Sequence, residues 1–412
     1  MSSRQEVPPT AGLPPQWQDL WPADADFSDA LAATFGLPSS LLECSGTAAL
    51  VVTLHALKRH SARRVVVIPA YTCPLVVMAI VHCGLEVALC DTGPGSVDFD
   101  HDQLAAVFEA PRYRDRILAV IPTHLGGRVV DVAAVQKLAV KYGSCVIEDA
   151  AQALGATVNG KSVGLIGDAG FFSFAIGKGL NLFEGGALIA NDPHLRQRLQ
   201  SAHDELIHFD AWMEAKRCLQ YCASTLFYRP FGLRLFYGPQ FRRAAGAGNW
   251  VEAVGDRFGR EIPLHTLGRW RQHCAAGALP RLPSFLEQTR TQGLARRRML
   301  QDIAGITVID DAAGVGAAGT WPVLMALLPS TALRDAALRR LVPLGLGAGR
   351  LFVYALPDYD YLRDLLPADV GACTEARKLA GTLLCISNSL WLDDAAFAKV
   401  LQILGEVMTA AS

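Results

Sequence analysis

SCVIEDA, residues 144–150, is a short apolar run that closes on two acids, and the chain on both sides repeats its form. Before it stand VVVIPA (65–70), VALCD (87–91) and ILAVIPT (117–123). After it come AGFFSF (169–174) and GALIAND (186–192). Stretches with helical spacing at 47–60, 74–83, 102–110 and 131–142 lie between the earlier runs. Apolar, β-branched strands separated by helices imply an α/β fold whose large, mostly parallel sheet is covered on both faces. Ligands of such sheets sit beyond the carboxyl ends of the strands. Asp149 closes one strand, His124 ends another and Tyr71 follows a third.

The bulk numbers set limits. With 412 residues the chain exceeds one ordinary core, which predicts more than one domain. Hydrophobic residues make up 51% and charged residues 19%, the balance of a well-buried protein. A formal net charge of -1 and the lack of any basic run give no electrostatic case for nucleic acid. Ten cysteines are scattered, mostly in apolar stretches, and none forms a CxxC pair. That pattern predicts buried, reduced thiols in a cytoplasmic protein, with no disulfide framework and no metal site. The N-terminal MSSRQEVPPTAGLPPQW lacks an apolar signal core. No run of about 18 uninterrupted apolar residues predicts a spanning helix.

The outer segments differ from this core. Residues 1–40 read as a proline-rich lead-in and a short helix, and together with the strands up to 205 make the first part of the chain. Residues 206–290 read as a helical, aromatic connecting segment, and 291–412 as a smaller α+β domain. In the latter, GTWPVLMALL (319–328) and RLFVYAL (350–356) are expected strands, and 331–342, 373–383 and 394–408 expected helices. Gly345, Gly347 and Gly349 mark a turn before a strand, with no helix following to make a phosphate loop. CLQYCASTLFYRPFGLRLFYG (218–238) is the most hydrophobic stretch, and Pro230 must break a helix within it. It reads either as a packed helix pair bridging domains or, because Arg229 and Arg234 interrupt the aromatic and Leu positions, as a surface touching membrane or a lipid-bearing substrate.

Three short stretches carry chemistry. CSGTAALVVTLHAL (44–57) places Gly46 and Thr47 at a helix start, where free N–H groups and the dipole favour phosphate, although Ser-Gly-Thr is also an ordinary N-cap. VIEDAAQALGA (146–156) puts Asp149 at a strand end, suited to a protonated ring nitrogen or to capping a following helix. GDAGFFSFAIGKGLNLFEGGALIAND (167–192) flanks Lys178 with Gly177 and Gly179. That lysine is either solvated at a loop tip or desolvated, and desolvation would lower its pKa and make it nucleophilic. In this order the three make a kit for pyridoxal 5'-phosphate (PLP): a phosphate seat at Gly46–Thr47 with Ser173, an acid, then an amine.

These motifs resemble the DegT/DnrJ/StrS family of PLP-dependent sugar aminotransferases, densely from about 40 to 195 and thinly afterwards. Ser45, Gly46 and Thr47 match its phosphate loop, Glu148 to Gln152 its strand-end acid motif, Ser173 to Lys178 its lysine motif and Glu184 to Gly186 the Glu-Gly-Gly that follows. The resemblance implies the aspartate aminotransferase-type fold and a homodimer. It further implies covalent attachment of PLP to Lys178, Asp149 at the ring nitrogen and Gln152 near the 3-hydroxyl side. Cys73 stands in PAYTCP (69–74) where the family often stacks an aromatic side chain, which leaves Tyr71 or His124 to stack, or Tyr71 simply to pack. The family's Asn-x-Arg segment has no clean copy; LGRWRQHCAAGAL (267–279) offers Arg269, Trp270 and Arg271 instead. His124 and Glu184 are candidate substrate contacts, and Arg350 is a candidate for a carboxylate or an ordinary surface arginine.

By resemblance, the expected activity is transfer of an amino group from a donor such as glutamate to a keto acceptor, a nucleotide-linked keto-sugar in polysaccharide or glycan biosynthesis. Dehydratase relatives carry histidine in place of the lysine, so Lys178 points away from them. Two other classes stay open: a non-catalytic PLP-fold regulator, and a PLP enzyme acting on a non-sugar or lipid-linked ketone.

Overall fold

A computed structural model describes residues 6–410; the first five residues of the proline-rich lead-in and the last two residues of the chain lie outside the described residues. Helix α1 (Phe27–Phe35) precedes strand β1 (Leu41–Glu43), after which strands and helices alternate as α2 (Gly46–Arg59), β2 (Val65–Pro69), α3 (Pro74–His82), β3 (Glu86–Cys90), α4 (His101–Glu109), β4 (Ile117–Val120), α5 (Val132–Tyr142) and β5 (Cys145–Asp149). A small hairpin of β6 (Thr157–Val158) and β7 (Lys161–Ser162) leads to β8 (Ala169–Ser173) and β9 (Gly186–Ala190). Seven strands pair in the order β1-β9-β8-β5-β4-β2-β3. All neighbours are parallel except that β9 runs against both β1 and β8. The expected α/β fold with a mostly parallel sheet is therefore present.

The pleat explains why the strands read as unbroken apolar runs. In β2 every residue is buried: Val66 and Ile68 face a core shared with α2 and α3, while Val65 and Val67 face one shared with α4 and α5. Because β1, β2, β4, β5 and β8 run the same way, their carboxyl ends gather at one edge of the sheet. The start of α2 and the loops after β2, β4, β5 and β8 must then meet there.

Helices α6 (Pro193–Leu206), α7 (Ala211–Phe227), α8 (Pro230–Phe236), α9 (Gly238–Gly246), α10 (Trp250–Val254), α11 (Arg269–Ala278) and α12 (Leu282–Gln301) follow. Pro230 does break the helix: α7 stops at Phe227, and Pro230 opens α8 at the first helical position, where its missing N–H costs nothing. The remaining elements are β10 (Thr307–Val308), β11 (Ala317–Ala318), β12 (Val323–Leu327), α13 (Thr331–Leu341), β13 (Ala348–Gly349), α14 (Thr374–Thr382), β14 (Leu383–Ser387) and α15 (Asp394–Thr409). Strands β10-β12-β14-β13 form a second, antiparallel sheet, and β11 pairs with β6.

Two readings of this region need correction. RLFVYAL (350–356) is not a strand; pairing ends at Gly349. The backbone beyond is held by side chains instead: the Tyr71 hydroxyl bonds both the carbonyl and the N–H of Phe352, and Asp256 and Tyr359 take the Val353 N–H. The missing central strand is β14, LLCIS, which begins directly where α14 ends.

The lead-in is also more than a lead-in. Val7, Ala11 and Leu13 are buried and donate their N–H groups to the carbonyls of Gly345, Pro322 and Gly179. This extended strap thus joins the second sheet to the loop that carries Lys178. All ten cysteines are free, and no helix of the described residues is long and apolar enough to cross a membrane.

Candidate active site

Helix α2 is capped by Ser45, whose Oγ accepts the Ala48 N–H at 3.0 Å. The cap leaves the first amides, at Gly46 and Thr47, without intrahelical acceptors. A Cβ on Gly46 would meet Ser173 Cβ at 3.3 Å, so the glycine lets the helix start approach the end of β8. The phosphate-seat and N-cap readings of Ser-Gly-Thr are compatible, because the cap uses a hydroxyl and leaves the amides open.

That helix start opens onto a cavity of about 490 Å³ at the carboxyl edge of the sheet. Thr47, Asp149, Gln152, Ser173, Lys178 and Glu184 all line it. His124 and Arg350 line it as well. Asp149 is buried; one oxygen accepts the Ala151 N–H at 3.1 Å within a turn, since no helix follows β5. Burial pushes its carboxyl above the usual carboxylate range, against that hydrogen bond and the pull of Lys178 and His124. Burial pushes the Lys178 amine below the usual lysine range, against Cys73 and Asp149. An acid and an amine thus face one desolvated space, each lacking the solvent that its charged form needs.

The loop around Lys178 is held from two sides. The Thr10 hydroxyl donates to Gly177 O at 2.7 Å, and a Cβ on Gly12 would lie 2.6 Å from Lys178 O. On the far side Phe183 sits at φ 69, a left-handed conformation costly for an aromatic residue. Arg271 fixes it there by donating to the carbonyls of Leu182 and Glu184 on either side. Arg271 is fully buried and pairs through two nitrogens with Glu214, so it serves the loop and has no fork left for a ligand phosphate.

Four other predicted residues take defined places. Tyr71 is fully buried outside the cavity, its hydroxyl committed to Phe352, so it packs and does not stack on a ligand; its place in the cofactor-binding set is corrected. His124 lines the cavity but spends both ring nitrogens: Val130 N–H donates to Nδ1 at 3.3 Å, and Nε2 donates to Glu148 at 2.9 Å. It can offer a ring, not a proton. Glu184 is paired with Arg217 of α7 at 2.6 Å. Gln152 Oε1 accepts the Gly126 N–H at 2.7 Å, which fixes the loop after β4.

Four further wall residues were given no functional role by the sequence. Cys73 lies near both Lys178 and Asp149, with its thiol pushed up to about 12 by burial. Pro9 and Thr10 come from the strap. Asp256 follows α10, and its Oδ2 accepts from Tyr359 Oη at 2.6 Å and from Val353 N at 2.8 Å. Burial pushes its carboxyl up to about 6. The folded protein therefore holds this proton more tightly than the unfolded chain, and stability falls as pH rises from about 4 to about 6. Asp256→Asn keeps an oxygen for both donors, so it is expected to remove that part of the slope and to exceed the wild type above pH about 6 by roughly 2–3 kcal/mol. Urea midpoints measured across this range check it; parallel curves for the two proteins would refute it.

The profile of the DegT/DnrJ/EryC1/StrS aminotransferase family matches residues 10–217, half of the chain. The chain belongs to this family. GDP-perosamine synthase of Caulobacter vibrioides is 32% identical over 175 residues, 42% of this chain and 46% of that protein. The UDP-N-acetyl-3-dehydro-alpha-D-glucosamine 3-aminotransferase of Acidithiobacillus ferrooxidans is 33% identical over 215 residues, 49% and 54% of the two. The chain spans about half the length of the curated relatives it matches. Among solved structures, DesI, determined in the presence of its TDP-sugar product, superposes with a TM-score of 0.70 at 20% identity, covering all of this chain and 95% of the other. 3-Amino-5-hydroxybenzoic acid synthase gives 0.71 at 20% identity over 93% and 90%. The fold is that of the PLP aminotransferases, and the family match ends within α7, where the sequence resemblance thins.

Proposed function

We propose that this chain is a PLP-dependent aminotransferase that moves an amino group from a donor such as glutamate to a nucleotide-linked keto-sugar, for polysaccharide or glycan assembly in the cytoplasm. The observation that carries the reading is the meeting of Lys178, Asp149 and the α2 start in one desolvated cavity. The residues fit PLP: open amides at Gly46 and Thr47 with Ser173 suit its phosphate, and the raised Asp149 carboxyl lacks the cation that a protonated pyridine would supply. When bound, PLP supplies an electron sink that stabilises negative charge at the donor's α-carbon.

The chain's own residues do the rest. Asp149 would hold the proton on the ring nitrogen of the bound cofactor. Lys178, its amine held below the usual lysine range by burial, would hold PLP and, once freed, move the proton at the donor's Cα. The strap and Arg271 keep the loop on either side of Lys178 in place. Gln152, fixed by Gly126, would bound the ring's 3-hydroxyl side. We take the chain as a homodimer built from parts 1–205, 206–290 and 291–412.

Amino donors and keto-sugar nucleotides are to be screened against PLP-loaded protein while cofactor absorbance is followed. Glutamate is expected to shift the spectrum and a keto-sugar nucleotide to restore it. A protein that binds PLP yet shows no shift with any donor would be the non-catalytic regulator, and the proposal would fail.

A further inference from the structure

Helix α7 is built inside out. Its inner face buries polar groups: Glu214 against Arg271, and Tyr221, Ser224 and Thr225. Its outer face carries Trp212, Leu219 and Phe227, spaced seven and eight residues apart along one side of the helix. Trp212 is 78% exposed and Leu219 72%. Helix α8 extends the apolar surface with Phe231, Leu235 and Phe236, and Phe236 meets Phe227 edge-to-face at 4.9 Å. Large apolar side chains exposed in such number on two neighbouring helices mark an interaction site.

Charge selects the occupant. Between Ala211 and Gly246 the only acid is Glu214, buried against Arg271, whereas Lys216, Arg229 and Arg243 are exposed. Exposed aromatic and leucine side chains set among exposed cations, with Asp210 at the N-cap of α7 the one exposed acid beside them, match an anionic lipid interface. A two-fold contact between copies of this face would set like charges against each other. We propose that α7 and α8 form a peripheral membrane-binding surface that seats the protein on an anionic phospholipid bilayer.

The surface touches the cavity wall. Arg217, on the side of α7 facing the fold, pairs with Glu184, and Tyr237 and Phe241, next to and within α9, line the cavity. The seat therefore places the cavity close to the bilayer. The proposal stands apart from the transaminase reading, because its readout is partition and not turnover.

The test is co-sedimentation of the full-length protein with vesicles of phosphatidylcholine, alone or with phosphatidylglycerol. Binding is expected to need phosphatidylglycerol and to weaken as salt rises. Arg229→Gln with Arg243→Gln is expected to lower partition by about 25-fold, roughly fivefold for each cation removed. Phe231→Ser with Phe236→Ser should abolish binding while the melting temperature and the cofactor spectrum stay unchanged, since both rings are exposed. Equal binding by the wild type and both double variants would overturn the proposal, as would no binding to either vesicle. Loss of a dimer in Phe231→Ser/Phe236→Ser without vesicle binding by the wild type would assign the face to a second copy and also overturn it.

Discussion

Lys178→Ala is expected to yield a folded protein without the absorbance near the visible edge that covalently held PLP gives, and with turnover reduced on the order of 10³–10⁴-fold. Lys178 is the only lysine on the cavity wall among the described residues, so no neighbour can replace its amine. Its desolvation makes the amine available as nucleophile and base; in water at neutral pH it would be mostly protonated. Lys178→Arg separates charge from chemistry. It restores a cation opposite Asp149, but guanidinium does not deprotonate in this range, so the absorbance should stay lost. An unchanged spectrum in either variant would remove Lys178 from its proposed role. Urea unfolding should move little, because Lys178 makes no ion pair among the described residues and lies in a loop that Thr10, Leu13 and Arg271 hold through backbone groups.

The half of the chain that holds this lysine was legible because two regular signals coincide there. Apolar runs of strand length mark β2 to β9, and the chemical residues sit at their ends, where the topology must gather them. Asp149, Gln152, Ser173 and Lys178 share one cavity wall for that reason. Tyr71 failed as a ligand contact although it too follows a strand. The segment beyond Gly349 does not pair, and its backbone claims the hydroxyl, which no local pattern announces. The strap was hidden because extended chain satisfied by distant carbonyls has no period; Val7 and Leu13 among prolines were its only trace. Asp256 has no motif around it, and its role appears only when the loop after α10 meets Tyr359. Helix α7 is a different case, because the two readings of 218–238 stayed open. Its amphipathic spacing is real, yet the side that faces the fold is the polar one, and sequence period gives the faces of a helix without saying which is inside.

Glu148 shows how much of the site rests on a residue that touches no ligand. Glu148→Ala is expected to cost about 4 kcal/mol of stability, more than any single cap in the fold. The side chain is fully buried and accepts four bonds: Ile166 N–H at 2.6 Å and Gly167 N–H at 2.7 Å on one oxygen, Gly164 N–H at 2.8 Å and His124 Nε2 at 2.9 Å on the other. Alanine strands all four donors in a place that water cannot reach. Glu148→Gln keeps the volume and one accepting oxygen but turns an amide nitrogen toward two of the donors, so it should lie between alanine and the wild type. His124→Ala removes one donor, leaves the three backbone bonds to Glu148 and strands the Val130 N–H, so its cost should be about 1–2 kcal/mol plus the cavity it opens. Coupling between positions 124 and 148 should then be smaller than the Glu148 effect itself. The consequence for the site follows from adjacency. Glu148 fixes β5 one residue before Asp149, and through His124 the loop whose Gly126 holds Gln152. Loss of Glu148 should therefore weaken PLP binding even where the variant is kept folded. Urea midpoints and PLP titrations of the three variants decide it: a Glu148→Ala protein no less stable than His124→Ala would show that the buried carboxylate does not carry this loop.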